Sequence, residues 1–198
     1  MAKTGTGRFG VLGAALLAFG IAGCQQTGAG TAAAERIHPA YDATGRLTRL
    51  AYDSHGDGKI DTWGYMDGTH VVRIEIDEDG DGKVDVWEYY SPGSQGSVGP
   101  QTLERIERST RHDGTVSRWD YFDNGLLTRV EEDTDGDGKV DKWQTYSGGT
   151  LSMIAIDSER RGKPDRRLIY RSDGTVDRIE TDPTGSGQFQ GFAPPRTK

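Results

Sequence analysis

DEDGDGKVDVW at residues 77–87 occurs twice more with small changes, as DSHGDGKIDTW at residues 53–63 and as DTDGDGKVDKW at residues 133–143. Three weaker copies begin at Ser109, Asp157 and Asp182, so the six copies start 24, 32, 24, 24 and 25 residues apart. A fixed period of this length is typical of one supersecondary unit repeated in series, in which each copy packs against its neighbours. The repeat therefore predicts the architecture of the protein more directly than it predicts a function.

The segments between the acidic loops favour β-strands. They are rich in Val, Ile, Thr, Tyr and Trp, which suit strands. Tight-turn sequences such as MDGT at residues 66–69 and FDNG at residues 122–125 alternate with the loops, and such short links require antiparallel pairing. We therefore predict an all-β domain over residues 37–198. It is an antiparallel meander of about twelve strands from six repeats of about 24 residues, forming an open twisted sheet or a closed barrel.

This meander places all acidic loops along one edge and all tight turns along the other. Apolar or aromatic residues recur at the eighth, eleventh and fourteenth positions of the repeat. Because these positions are three apart, strict alternation cannot place them all on one face. Either each strand carries a β-bulge or both faces of the sheet are partly covered. The long 32-residue spacing comes from an insertion at residues 91–100, which we expect to lengthen one turn.

The acidic loop has the spacing of a calcium site, because alternate residues supply the oxygen ligands that calcium prefers. Two copies offer a full set and predict strong calcium sites. The expected ligands are the side chains of Asp77, Asp79, Asp81 and Asp85 with the carbonyl of Lys83, and those of Asp133, Asp135, Asp137 and Asp141 with the carbonyl of Lys139. The first copy offers Asp53, Asp57 and Asp61. We expect this site to be weaker, because its third position is His55 and imidazole is a poor ligand for calcium.

The segment DEDGDGKVDVWE resembles the calcium loop of EF-hands and, more closely, the strand-flanked DxDxDGxxxD loops of integrin α-type repeats. In the strand setting Glu88, at the twelfth position, is not expected to be a ligand. YDATGRLTRLAYD at residues 41–53 and YFDNGLLTRVEED at residues 121–133 look like the YD-type β repeats of bacterial surface and secreted proteins. The alternative interpretation is a turn without metal, since Asp and Gly are good turn residues. Against it, several carboxylates at alternate positions repel one another unless they are neutralised.

The first 23 residues have the features of a signal peptide, with Lys3 and Arg8 before a short apolar segment. The tetrapeptide that ends at Cys24, IAGC, resembles the lipobox of bacterial lipoproteins. The resemblance implies lipidation of Cys24, cleavage before it and an anchor in the membrane. The small, polar residues that follow predict a flexible tether at residues 24–36. Gln25, rather than Asp, follows the cysteine, and by the rule of that family this implies the outer membrane. An ordinary secretory signal with a chance cysteine is the alternative.

Charge and motif content exclude several functions. Removal of residues 1–23 takes away two of the 24 basic residues and none of the 31 acidic ones, which leaves a net charge of −9. Such an acidic chain argues against a nucleic-acid partner. The four histidines are scattered without zinc-site spacing, and no GxSxG motif is present. A hydrolase on an unrecognised β scaffold is therefore the least favoured interpretation.

The sequence predicts a non-enzymatic, calcium-stabilised cell-envelope lipoprotein that serves as a structural or interaction module, with an unidentified protein or glycan partner. The alternative is a carbohydrate-binding surface lipoprotein that uses the tryptophans at the eleventh repeat position. These are Trp63, Trp87, Trp119 and Trp143. A tryptophan at a fixed repeat position more often packs in a core or across strands, which favours the first function.

Overall fold

The computed structural model describes residues 35–91 and 101–192. The predicted signal peptide, Cys24 and most of the predicted tether lie outside the described residues, as do residues 92–100 of the insertion. The described residues contain thirteen β-strands and no helix, and therefore no helix that could span a membrane. The strands are β1 (Ile37–Tyr41), β2 (Leu47–Tyr52), β3 (Thr62–Asp67), β4 (His70–Ile76), β5 (Val86–Tyr90), β6 (Leu103–Arg108), β7 (Arg118–Asp123), β8 (Leu126–Glu132), β9 (Lys142–Ser147), β10 (Thr150–Ile156), β11 (Arg166–Tyr170), β12 (Val176–Thr181) and β13 (Gln190–Phe192).

The strands form one antiparallel sheet in which each strand pairs with the strands before and after it in sequence. The predicted all-β meander is confirmed, and the sheet is open, with β1 and β13 as its two edges. Twelve strands belong to the six repeats, two to each. The additional strand, β1, precedes the first copy and pairs with β2.

Burial in this sheet is spread thinly over both faces, because the described residues form a single layer. Among the described residues only five apolar ones are buried, namely Ala51, Val86, Ile106, Val130 and Ala155, and most strand residues are half-buried. The most buried polar groups instead lie at the loop edge. Eight loop aspartates are buried there, at residues 53, 61, 77, 85, 133, 157, 165 and 182.

Both explanations for the three-residue spacing of the apolar positions hold: the strands carry register shifts, and both faces of the sheet are partly buried. The pairing register shifts between the thirteenth and fourteenth repeat positions, for example at Tyr65/Met66, Tyr89/Tyr90 and Tyr121/Phe122. The strands on either side are half-buried on both faces. The eighth position, such as Val84, lies in the loop before the strand begins. Side chains therefore alternate strictly between the two faces of the sheet only from the end of the loop to the register shift.

One face carries a repeated three-residue contact between neighbouring strands. In β3 and β4, the guanidinium carbon of Arg73 lies 4.3 Å from the ring centroid of Tyr65, and Glu75 accepts a hydrogen bond from the Tyr65 hydroxyl at 2.7 Å. An Arg73 nitrogen lies 3.0 Å from Glu75. The same contact recurs with Arg105, Tyr89 and Glu107, and with Arg129, Tyr121 and Glu131. This contact holds successive repeats together where apolar burial is small.

Candidate metal centre

The acidic loops stack along one edge of the sheet, as the repeat predicts. We number them loops 1 to 6, and they span residues 53–61, 77–85, 109–117, 133–141, 157–165 and 182–189. The backbone N–H of the first residue of a loop donates to the carbonyl of the ninth residue of the loop before it. The N–H of Asp77 donates to Asp61 and that of Asp157 to Asp141, both at 2.8 Å. The strand ladder thereby continues through the loops and sets their spacing.

The first residue of each loop fixes the shape of its own loop. In loop 2 the two carboxylate oxygens of Asp77 accept hydrogen bonds from the backbone N–H groups of Gly80 and Gly82, each at 2.8 Å. Asp157 in loop 5 does the same for Arg161 and Gly162. Loop 5 carries arginines at positions four and five and lacks the calcium-loop pattern. The first-position aspartate therefore shapes the loop even where no ion is predicted.

The ninth residue closes the loop in the same way. The Oδ2 atom of Asp85 accepts from the N–H of Glu78 at 3.0 Å, and Oδ2 of Asp141 accepts from the N–H of Thr134 at 3.1 Å. In loop 3 the hydroxyl of Ser117 takes this place and accepts from the N–H of Thr110. In loops 1 to 5 the first and ninth positions therefore shape the loop, whether or not it holds an ion, whereas the ninth position of loop 6 is Gln190 on β13.

The third and fifth positions distinguish the loops. Their residues are mostly exposed, and only loops 2 and 4 have aspartate at both. One oxygen of Asp79 accepts from the N–H of Asp81 at 3.1 Å, and one oxygen of Asp81 accepts from the N–H of Lys83 at 2.8 Å. These bonds are short-range turn contacts. They leave the second carboxylate oxygen of Asp79 available for an ion.

The structure brings most of the predicted ligands together in loops 2 and 4. Carboxylate oxygens within 4.8 Å of one another come from Asp77, Asp79 and Asp81 in loop 2, and from Asp133, Asp135 and Asp141 in loop 4. Asp85 is grouped with Asp79 in a second cluster. These acidic clusters could hold a metal ion. Asp137 is not in the loop 4 group, although it lines a neighbouring cavity of about 10 Å³ with Asp135 and Asp141, which is the space of one small ion or water molecule.

Loop 1 differs from the other two acidic loops. Among the described residues, Asp53, Asp57 and Asp61 do not form a three-ligand group. Instead, Nδ1 of His55 lies 2.8 Å from Oδ2 of Asp61, and this hydrogen bond and the nearby negative charge raise the pKa of His55. Burial acts to raise the pKa of Asp61, but hydrogen bonds from His55, Thr62 and Ser54 outweigh it and lower that pKa.

The remaining positions of the predicted sites are Lys83 and Lys139, whose carbonyls are predicted ligands, and Glu88, which is not expected to bind calcium. The N–H groups of Lys83 and Lys139 donate to the fifth-position aspartates at 2.8 and 2.9 Å, and ligation by their carbonyls stays a prediction. The ammonium of Lys83 also lies 3.0 Å from Asp81. Glu88 lies on β5, where its carboxylate accepts a hydrogen bond from the Tyr90 hydroxyl at 2.6 Å. That contact turns Glu88 toward its own strand and away from the loop.

Sequence reasoning missed a set of cross-loop contacts from the fourth loop position. This position has a positive φ in every loop and is glycine in loops 1, 2, 4 and 6. In loops 3 and 5 it is His112 (φ 52°) and Arg160 (φ 56°). His112 reaches back to Asp85 in loop 2 at 3.2 Å, and Arg160 reaches back to Asp135 in loop 4 at 2.8 Å. A non-glycine residue at a glycine position was the available signal.

Comparison with known proteins gives no family for this chain. No protein-family model matches the sequence, and no curated protein matches it. Among solved structures, one similar chain belongs to a crystal structure of accessory secretory protein 1,2 and 3 in Streptococcus pneumoniae. It is 10% identical with a TM-score of 0.30, and the match covers 62% of this chain and 19% of that one. A likeness this weak carries no argument about function.

Proposed function

We propose that this protein is a non-enzymatic, calcium-stabilised lipoprotein of the cell envelope that presents a single-layer β-sheet as a structural or interaction module. The observation that carries the proposal is the division of labour within the acidic loops. Loops 3, 5 and 6 adopt the same loop shape around Asp or Ser at the first position, although none of them has aspartate at both the third and fifth positions. The loop shape therefore does not require aspartate at both positions, and an ion explains why loops 2 and 4 have the pair.

Charge supports the same conclusion. Three or four carboxylates within one short loop repel one another unless a cation lies among them. Arg111 replaces the third-position aspartate in loop 3, Arg161 replaces the fifth-position aspartate in loop 5, and Arg160 replaces the glycine before it. Arg111 lies 3.7 Å from Asp133 in loop 4. Loops 3 and 5 thus supply positive charge to the acidic loop 4 that lies between them.

Calcium is the proposed ion because the clusters within loops 2 and 4 consist of carboxylate oxygens, which hard cations prefer. We propose strong sites in loops 2 and 4, and a weaker site at Asp53, Asp57 and Asp61. The weaker affinity of loop 1 follows from His55, which already occupies one oxygen of Asp61.

The experiment is a calcium titration of the full chain in detergent, followed by calorimetry and by thermal unfolding. Calcium modules outside cells typically bind at about 0.1 to 1 mM, and a ligand at a hundredfold excess over Kd stabilises the folded state by about 2.7 kcal/mol. About 5 mM calcium should therefore raise the melting temperature measurably. Magnesium should raise it less, because magnesium gives up its bound water reluctantly.

Single substitutions assign the sites. Asp81→Ala and Asp137→Ala should each remove one strong site, because each deletes an exposed fifth-position carboxylate. The matched control is Asp113→Ala at the fifth position of loop 3, which should leave calcium binding unchanged. If calorimetry detects no heat of binding and about 5 mM calcium leaves the melting temperature unchanged, the acidic loops are turns without an ion.

The proposed envelope location rests on Cys24, which lies outside the described residues. Cys24→Ser should abolish lipid attachment and leave the precursor uncleaved at this position, because the thioether forms on the cysteine sulfur. Labelled palmitate is the measurement, with the wild-type chain as its control. Label found in the Cys24→Ser protein would contradict the lipobox interpretation.

A second candidate, glycan binding, is favoured by the tryptophan row. Trp63, Trp87, Trp119 and Trp143 lie on one face, separated by Glu75, Glu107 and Glu131 as cross-strand partners. Successive tryptophans are two strands apart, or about 9.5 Å, and all four are half-buried. Strong acrylamide quenching that a bound oligosaccharide suppresses would favour this function. Weak quenching would assign the tryptophans to packing alone.

A further inference from the structure

We propose that Asp79, Asp85 and His112 form a site for a divalent transition-metal ion such as Zn²⁺, built between loop 2 and loop 3. Its ligand set differs from that of an all-oxygen calcium loop, because one donor is an imidazole nitrogen from the following repeat. Imidazole suits zinc, copper, nickel and iron, whereas calcium and magnesium prefer carboxylate, carbonyl and water.

The three donors already lie close to a metal-binding arrangement. One donor atom of each residue lies within 4.8 Å of the other two. Nδ1 of His112 is 3.2 Å from Oδ1 of Asp85 and 4.0 Å from Oδ2 of Asp79. Tetrahedral zinc with bonds of about 2.0 to 2.2 Å holds neighbouring donors about 3.3 to 3.6 Å apart. The exposed side chains of Asp79 and His112 need only small rotations to reach that spacing.

An independent observation points to a missing partner at this place. Asp85 is only 1% exposed. Its Oδ2 atom accepts a hydrogen bond from Glu78, but its Oδ1 atom, the one facing His112, has no hydrogen-bond partner. Nδ1 of His112 lies 3.2 Å from Oδ1, within ion-pair distance, but forms no hydrogen bond with it. A buried carboxylate oxygen without a partner is costly, and an ion shared with His112 and Asp79 removes that cost.

The backbone of His112 places its side chain for this role. Four of the other loops use glycine at the fourth position, where φ is positive, and His112 adopts φ 52° there. A side chain in this conformation is strained, and such strain is retained mainly at functional sites. Arg160, in the equivalent position of loop 5, contacts Asp135 of loop 4 with a guanidinium, which cannot ligate a cation. Loops 2 and 4 are therefore different sites despite their similar sequences.

The test is binding of zinc chloride and of Co²⁺ to the full chain in detergent, measured by calorimetry and by the visible absorption of Co²⁺. The decisive variant is His112→Gly, which removes the imidazole and relieves the backbone strain, so it should fold at least as well as the wild type. Zinc affinity should fall at least about tenfold, and the Co²⁺ absorption bands should change. Equal zinc affinity and an equal Co²⁺ spectrum in wild type and His112→Gly would overturn the proposal, as would a wild type that binds no zinc.

The matched control is His55→Asn, which also removes an imidazole beside a buried loop aspartate but lies outside the cluster. It should leave zinc affinity unchanged, and a loss equal to that of His112→Gly would overturn the assignment to His112. Calcium competes only at loop 2, where Asp79 and Asp85 are shared, so calcium binding at loop 4 is measured separately through Asp137→Ala. If loop 4 binds no calcium, only the proposed function is contradicted. If zinc binds equally well without His112, only the present inference is contradicted.

Discussion

Single aspartates in the loops have two different roles, and substitution separates them. The carboxylate of Asp157 accepts backbone hydrogen bonds in a loop without a metal-type pattern. Asp157→Ala should lower the free energy of unfolding by about 1 to 3 kcal/mol, because it leaves part-buried N–H groups without an acceptor. Glu159→Ala in the same loop is the control, since Glu159 is exposed, and should cost less than about 0.5 kcal/mol. Urea unfolding measures both, and equal losses would contradict a special role for the first position.

The same residues set the response of the protein to acid. Burial acts to raise the pKa values of Asp157 and Asp182, but hydrogen bonds outweigh it and hold both pKa values below 3.8; they come from backbone N–H groups and, at Asp182, also from the Thr184 hydroxyl. A lowered folded-state pKa contributes stability that is present above 3.8 and is lost as the pH falls through the folded-state pKa. Stability without metal should therefore fall below about pH 4. Asp157→Asn should reduce this fall, and an unchanged pH profile in that variant would refute the role of Asp157.

Pairs of strands depend on the contact between arginine, tyrosine and glutamate. The guanidinium of Arg105 lies 4.4 Å from the ring centroid of Tyr89 and 3.1 Å from Glu107. Arg105→Ala should cost about 1 kcal/mol, the sum of a cation–π contact and an ion pair that are both partly exposed. Arg49 occupies the same repeat position but is exposed, so Arg49→Ala should cost less than about 0.5 kcal/mol. Thermal unfolding of both variants provides the comparison, and equal costs would show that the contact adds nothing.

At the scale of the whole sheet, the described residues form a one-dimensional array, because each of their strands pairs only with its neighbours in sequence. Deletion of residues 133–156 removes one complete repeat and joins Glu132 to Asp157, which have the same relation as Ile156 and Asp157 in the intact chain. The shortened chain should fold with eleven strands, and its urea m-value should fall by roughly 15%, the share of two strands in thirteen. Deletion of residues 133–144 breaks the phase of the repeat and should abolish cooperative unfolding. Circular dichroism and urea titration test both chains, and failure of the 24-residue deletion to fold would contradict the array.

The sequence by itself determined the local features of this protein: strands, tight turns, antiparallel order and acidic loops along one edge. These follow from a 24-residue pattern whose links are too short for any other connection. Only the tertiary structure decided that the sheet is open and has one layer, and that IHPAY forms an additional edge strand. It also decided that His112 lies against Asp85 and Arg160 against Asp135. Those contacts join residues of different loops, so they depend on the hydrogen-bonded register between repeats, which no pattern within a single repeat specifies.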